Sequence, residues 1–121
     1  MNFYVKQPEV VGKSMTIAAG GELDMCAAPA IRDALAGALD VDVRTVMLDL
    51  ADATFVDSTT IGTLVGASKQ LRGSGRRFVV HCTNRNILRT FEIAGLERHL
   101  PISRAPDPTE RVVVVSTCAG L

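Results

Sequence analysis

The sequence predicts an α/β fold: a mixed or mostly parallel sheet of four to five strands with about four helices packed on it. Three observations lead there. Short apolar runs alternate along the chain with segments whose apolar residues recur every three to four positions, and alternating units of that kind pack helices onto a sheet. The run Thr45–Leu50 (T-V-M-L-D-L) is apolar enough for an interior strand covered on both faces. Hydrophobic residues make up 47% of the 121 and charged residues 21%, enough for one packed core. No repeat, low-complexity stretch or linker divides the chain, so residues 1–121 read as a single domain.

The elements follow in order. Phe3–Val5 is a short apolar start that suits an edge strand. Ser14–Ala19 alternates weakly as a second strand, closed by Gly20-Gly21. Then the period changes. Ile31, Ala34, Leu35, Ala38 and Leu39 line one helical face, with Pro29 in the first turn, where its missing N–H costs nothing. After the Thr45–Leu50 strand, Ile61, Leu64, Val65, Ser68 and Leu71 form a second helical stripe that stops at Gly73-Ser74-Gly75. Phe78–Cys82 is strand-like again. Thr83 or Asn84 caps a third helix carrying Ile87, Leu88, Phe91 and Ala94, ended by Gly95, and Leu96–Ser103 holds one more short strand. Asp107-Pro108-Thr109-Glu110 opens like a helix, although Val112–Val115 favours a strand by propensity. The expected order is β-β-α-β-α-β-α-β-α.

Composition excludes several classes of function. Aromatic residues are only 4%, so the core is built from Ala, Val, Leu and Ile. Thirteen basic residues balance thirteen acidic ones, whereas a nucleic-acid binder carries a positive excess to displace counterions. No apolar run reaches the ~18 residues of a membrane span, and the N-terminus lacks signal-peptide character. A small soluble cytoplasmic domain is expected. Cys26, Cys82 and Cys118 are odd in number and far apart, and they read as small buried hydrophobes. No metal or cofactor is expected, since His81, Cys82 and His99 show no ligand spacing.

The chemistry concentrates in Leu48–Gly66, L-D-L-A-D-A-T-F-V-D-S-T-T-I-G-T-L-V-G. Asp57 or Ser58 occupies the N-cap of the second helix, where a side-chain oxygen satisfies first-turn N–H groups and where an anion is welcome. An ordinary cap and a functional hydroxyl both fit this pattern. Arg72, Arg76 and Arg77 read as a solvated helix end, and His81 as the end of a strand.

The segment Phe55-Val56-Asp57-Ser58-Thr59-Thr60-Ile61-Gly62 resembles the phosphorylation segment of anti-sigma factor antagonists, single-domain members of the STAS (sulphate transporter and anti-sigma antagonist) family. Gly21-Glu22-Leu23-Asp24, the strand Val46–Leu50, and Leu88, Phe91, Gly95 and Leu96 resemble other family motifs in the same order. The likeness runs from about Ser14 to Ile102. It implies that Ser58 is the phosphoacceptor, with Thr59 and Thr60 as alternatives, and that Asp24, Asp57, Ser58, Thr59 and Thr60 face a partner. The implied partner is an anti-sigma factor with serine kinase activity, released by phosphorylation and regained through a serine phosphatase. The resemblance thus implies a binding module rather than an enzyme. The family usually has glycine where Thr60 stands, which puts a β-branched side chain at the helix start. A STAS scaffold or lipid-transport subunit without phosphorylation is the alternative. A hydrolase using Ser58 with His81 or His99 lacks the G-x-S-x-G elbow.

Overall fold

The computed structural model describes residues 2–98 and 102–103. Its elements are β1 (Phe3–Val5), β2 (Glu9–Val11), β3 (Ser14–Leu23), α1 (Ala28–Ala36), β4 (Thr45–Asp49), β5 (Ala53–Val56), α2 (Ser58–Gly73), β6 (Arg77–His81), α3 (Arg85–Ala94) and β7 (Ile102–Ser103). Short 3-10 turns follow α1 at Gly37–Asp40 and α3 at Leu96–Arg98. The α/β class holds, but the described residues form a seven-stranded mixed sheet in place of four to five strands. The two extra strands are too short for a periodic signal: β2 has three residues, all exposed, and β5 has four, of which two are buried. Three α-helices are seen among the described residues, and the helix expected from Asp107 lies outside them.

The sheet is organised by β3. Its first half pairs antiparallel with β2 and parallel with β4, and its second half pairs antiparallel with β1 and parallel with β5. Parallel pairing continues outward from β4 to β6 to β7. Gly20-Gly21 was expected to close the strand, yet β3 runs on to Leu23. The glycines serve close approach instead. A Cβ on Gly20 would overlap the Tyr4 ring, and one on Gly21 would overlap the Asn2 carbonyl oxygen. Gly21 also sits at φ +82, and the register with β5 shifts between Gly21 and Glu22, where β5 carries Thr54 as the extra residue of a bulge. Lying over Gly20, Tyr4 donates its hydroxyl to Asp52 Oδ2 at 3.0 Å, which ties β1 to the turn before β5. Partial burial, then the Asp52 carboxylate, raises the phenol above its ordinary pKa.

One face of the sheet carries the core. Met15, Ile17 and Ala19 of β3, Val46 and Leu48 of β4, and Phe78 and Val80 of β6 join Ile31 and Leu35 of α1, Leu64 and Leu71 of α2, and Ile87 and Phe91 of α3 in one cluster. On β4 the intervening Thr45, Met47 and Asp49 are only half-buried, so this strand is interior yet alternates, correcting the expected burial on both faces. The helix stripes sit as their periodicity implies, except that Ala94 of the third is exposed. Asn84, not Thr83, caps α3, its Oδ1 accepting from Asn86 N at 2.8 Å and Ile87 N at 3.2 Å. Gly95 closes that helix in the left-handed conformation.

Glycine chemistry gives a paired test of this architecture. Gly21→Ala should lower unfolding free energy by about 2–4 kcal/mol, from φ strain and overlap with Asn2. Gly66→Ala, in the open interior of α2, should raise it by about 0.5–1 kcal/mol. Urea unfolding midpoints measure both, and an unaffected Gly21→Ala would contradict the close approach of β1.

Candidate functional site

The end of β3 and the start of α2 meet at one edge of the sheet. Leu23, the last residue of β3, pairs with Val56 of β5, and its carbonyl accepts from Asp57 N at 3.4 Å. Asp57 is the N-cap of α2, its Oδ1 accepting from Thr60 N at 2.9 Å, so the choice between Asp57 and Ser58 falls to Asp57. The carboxylate takes one first-turn N–H, and the Asp57 carbonyl takes Ile61 N at 3.1 Å. The earlier N–H groups, those of Ser58 and Thr59, have no intrahelical acceptor.

Thr60 corrects an expectation. It is completely buried, and its hydroxyl donates to the Leu23 carbonyl at 2.7 Å and the Asp24 carbonyl at 3.3 Å. The three hydroxyls therefore do not share a surface. Ser58 and Thr59 are exposed, whereas Thr60 points into the joint between β3 and α2 and offers neither an accessible phosphoacceptor nor a partner contact. Its β-branched bulk lies inward, where it packs and hydrogen-bonds, instead of projecting at the helix start.

The same hydroxyl pins the Asp24 turn beside α2. Asp24 is half-buried and fixes its own turn: Oδ1 accepts from Cys26 N at 2.9 Å, and its carbonyl accepts from Ala27 N at 2.9 Å and Ala28 N at 3.1 Å. Ala27, at the N-cap of α1, supplies no side-chain cap, so the Asp24 turn does that work. Asp24, Asp57, Ser58 and Thr59 thus gather at one edge of the sheet.

Two side chains absent from the sequence-derived set complete the surface. Met25 is 65% exposed beside Asp24, and Phe55 is 48% exposed on β5, opposite Glu22 of β3. Large apolar groups left in water next to polar ones mark a protein-binding surface more than a small-molecule pocket. Period-two alternation with the buried Ala53 and Val56 does not reveal Phe55, because β5 twists at the bulge. Cys26 is also exposed on this turn, against the expected burial, while Cys82 is buried as expected and Cys118 lies outside the described residues.

Other expectations find their places. His81 ends β6 and is fully buried, whereas Ser58 faces solvent, an arrangement unlike a nucleophile and its base. His99 lies outside the described residues. Among the described residues no three His, Cys, Asp or Glu side chains gather as a metal site, and no helix is long and apolar enough to cross a membrane.

The model of the STAS domain matches residues 4–107. The anti-sigma-B factor antagonist of Listeria monocytogenes is 31% identical over 96 residues, covering 79% of this chain and 84% of that protein. An anti-sigma factor antagonist from Mycobacterium paratuberculosis superimposes with a TM-score of 0.73 at 21% identity, covering 83% of this chain and 84% of that one. The Bacillus cell fate determinant SpoIIAA in its phosphorylated form gives 0.62 at 22% identity, with 84% and 90% covered. The structural likenesses are likenesses of fold, and the family match and the Listeria relative add the sequence. The chain therefore belongs to the STAS domain family of anti-sigma factor antagonists.

Proposed function

We propose that this protein is a phosphoswitch binding module that, with Ser58 unmodified, captures an anti-sigma factor and so frees the sigma factor held by it. The captured partner is a serine kinase whose ATP phosphorylates Ser58 and ends the complex, and a serine phosphatase restores binding. This chain is substrate and ligand, and the ATP chemistry belongs to its partner. The observation that carries the reading is the exposed Ser58 hydroxyl as first residue of α2, directly after its Asp57 cap and close to the Asp24 turn. Met25 and Phe55 supply the apolar area that a protein interface needs. Regulation of transcription is thus indirect, without contact to nucleic acid, and the setting is cytoplasmic.

A phosphate at Ser58 acts differently on fold and interface. It adds about −1.5 to −2 charges. Within the domain, the N–H groups of Ser58 and Thr59 and the α2 dipole favour that charge, while Asp57 opposes it, so stability changes little. At the interface the same group must be desolvated beside Asp24 and Asp57, and charge mismatch there costs several kcal/mol.

Three outcomes test this reading. Ser58→Ala should bind the partner constantly and resist inactivation by ATP, while Ser58→Asp and kinase-treated protein should lose about 100-fold in affinity, or ~2.7 kcal/mol, with unchanged melting temperature. Calorimetry and thermal melts measure both, and phosphate mapped to Thr59 would move the switch by one residue and sink the assignment.

Thr60→Val keeps the shape and leaves the Leu23 carbonyl without its hydroxyl donor. It should cost about 1–3 kcal/mol in urea unfolding and weaken partner binding by loosening the Asp24 turn. A variant that loses stability without any change in affinity would detach Asp24 from the interface.

Cys26 provides the third outcome. Alkylation there by a bulky maleimide should block the complex, and preformed complex should protect the thiol. Peptide mass mapping separates Cys26 from Cys82 and Cys118, and equal labelling with and without partner would place the interface elsewhere.

A further inference from the structure

The opposite end of α2 holds a second, chemically distinct feature. An open cleft of about 370 Å³ is lined by Arg44, Arg72, Arg76 and Arg77, with Thr45, Gly75 and the buried Phe78. It lies where β4 and β6 begin and where α2 ends. Ser58 and Arg72 are separated by about 21 Å of helix at ~1.5 Å per residue. Among the described residues no carboxylate lines the cleft, although the chain as a whole has zero formal charge. Asp42, which feels Arg44 and Arg76, pairs with Lys13, so the Lys13–Asp42 pair adds no net charge to the four arginines.

A solvated helix end would direct these guanidinium groups at the last carbonyls of α2. The carbonyls of Gln70, Leu71 and Arg72 are already satisfied. Ser74 N donates to Gln70 O and Leu71 O at 3.2 Å, Gly75 N to Arg72 O at 3.0 Å, and Arg76 N to Leu71 O at 2.9 Å. The Ser74 hydroxyl adds a bond to Leu71 O at 2.8 Å. Helix capping therefore leaves the arginine side chains unused. Arg76 is held in place by the Val41 carbonyl at 3.0 Å, the Leu39 carbonyl at 3.3 Å and Ser74 Oγ at 2.8 Å, and its Nε is buried without a hydrogen-bond partner among the described residues. Arg44, Arg72 and Arg77 form no ion pair among the described residues.

We infer that this cleft binds a compact polyanion built of adjoining phosphate groups, with pyrophosphate as its smallest form. Four like charges converge on a concavity at the small end of the ~300–1,000 Å³ range of ligand sites. Planar guanidinium forks match phosphate oxygens two at a time, and a tetrahedral group can engage several forks that surround it. A diphosphate neutralises more of the cluster than a single phosphate, because its charges lie within one ligand length. Among the described residues the cleft lacks a surface for a base: Phe78 is 1% exposed, and no other aromatic residue lines the walls. A free polyphosphate chain and the diphosphate arm of a nucleotide therefore present the same chemistry here. The cleft stands at the opposite end of α2 from Ser58, outside the surface proposed for the anti-sigma factor.

Titration calorimetry of the full chain tests the inference, using pyrophosphate, tripolyphosphate and inorganic phosphate at low and high salt. Pyrophosphate should bind at least about 10-fold more tightly than inorganic phosphate, and added salt should weaken it. Arg72→Ala and Arg77→Ala should each weaken pyrophosphate binding about 10-fold, since charge-assisted contacts of this kind are worth about that factor. Lys69→Ala removes an exposed cation of the same helix outside the cleft and should change nothing. If an alanine variant melts early, Arg77→Lys retains the charge and removes the fork, and should still show weaker pyrophosphate binding. Equal affinity for pyrophosphate and for nucleoside diphosphates of either base type supports recognition of phosphates alone. A base preference would overturn that reading, as would absence of pyrophosphate binding, loss on Lys69→Ala equal to that on Arg72→Ala, or equal binding of a polyglutamate peptide.

Discussion

Everything in this domain is hung on a single strand. The ten residues of β3 hydrogen-bond to four other strands, two on each side, and the helices pack on the face that this arrangement creates. The strand changes partners midway, because β2 and β4 leave it as β1 and β5 arrive. Gly20 and Gly21 stand at that change, one admitting the Tyr4 ring and the other taking a positive φ against Asn2. Past it, β3 pairs with β5, which leads directly into α2. Placement of the Asp24 turn beside Ser58 is thus a consequence of sheet geometry and not of any direct attraction between the two.

Thr60 converts that proximity into a fixed relation. Its hydroxyl is spent on two carbonyls at the end of β3, and its backbone N–H is spent on Asp57. A glycine at this position leaves the Leu23 carbonyl to find another donor, so the threonine exchanges backbone freedom for a buried hydrogen bond. The surface that remains, with Ser58, Thr59, Asp24, Met25 and Phe55, is rigid beneath and mixed in polarity above. That combination suits reversible protein binding, since preorganisation lowers the ordering cost while the exposed hydroxyl leaves a place for charge to intervene.

The two ends of α2 carry opposite chemistry. At the N-terminus, free N–H groups and a hydroxyl stand in water beside carboxylates. At the C-terminus, the carbonyls are closed by backbone donors and arginines accumulate around a cleft. A neutral overall charge conceals this separation, which is why composition argues against extended nucleic-acid binding but says nothing about a small local basic site.

The sequence by itself determined the α/β class, the three helical stripes, the interior strand at Thr45–Leu50 and the family resemblance carried by the segment around Ser58. These are local properties: apolar periodicity, capping residues and a motif read within a few positions. Tertiary structure decided the rest. β2 and β5 exist because β3 offers them an edge, and at three and four residues they have too little length to announce themselves. Gly20-Gly21 looks like a stop until Tyr4 and Asn2, some seventeen residues earlier, are seen against it. Thr60 looks like part of an exposed hydroxyl row until its bonds to residues 36 and 37 positions earlier turn it inward. Met25 and Phe55 emerge as surface, and Cys26 as exposed, only where the chain folds back on itself. Burial and partner choice are sums over residues distant in sequence, and no local pattern carries them.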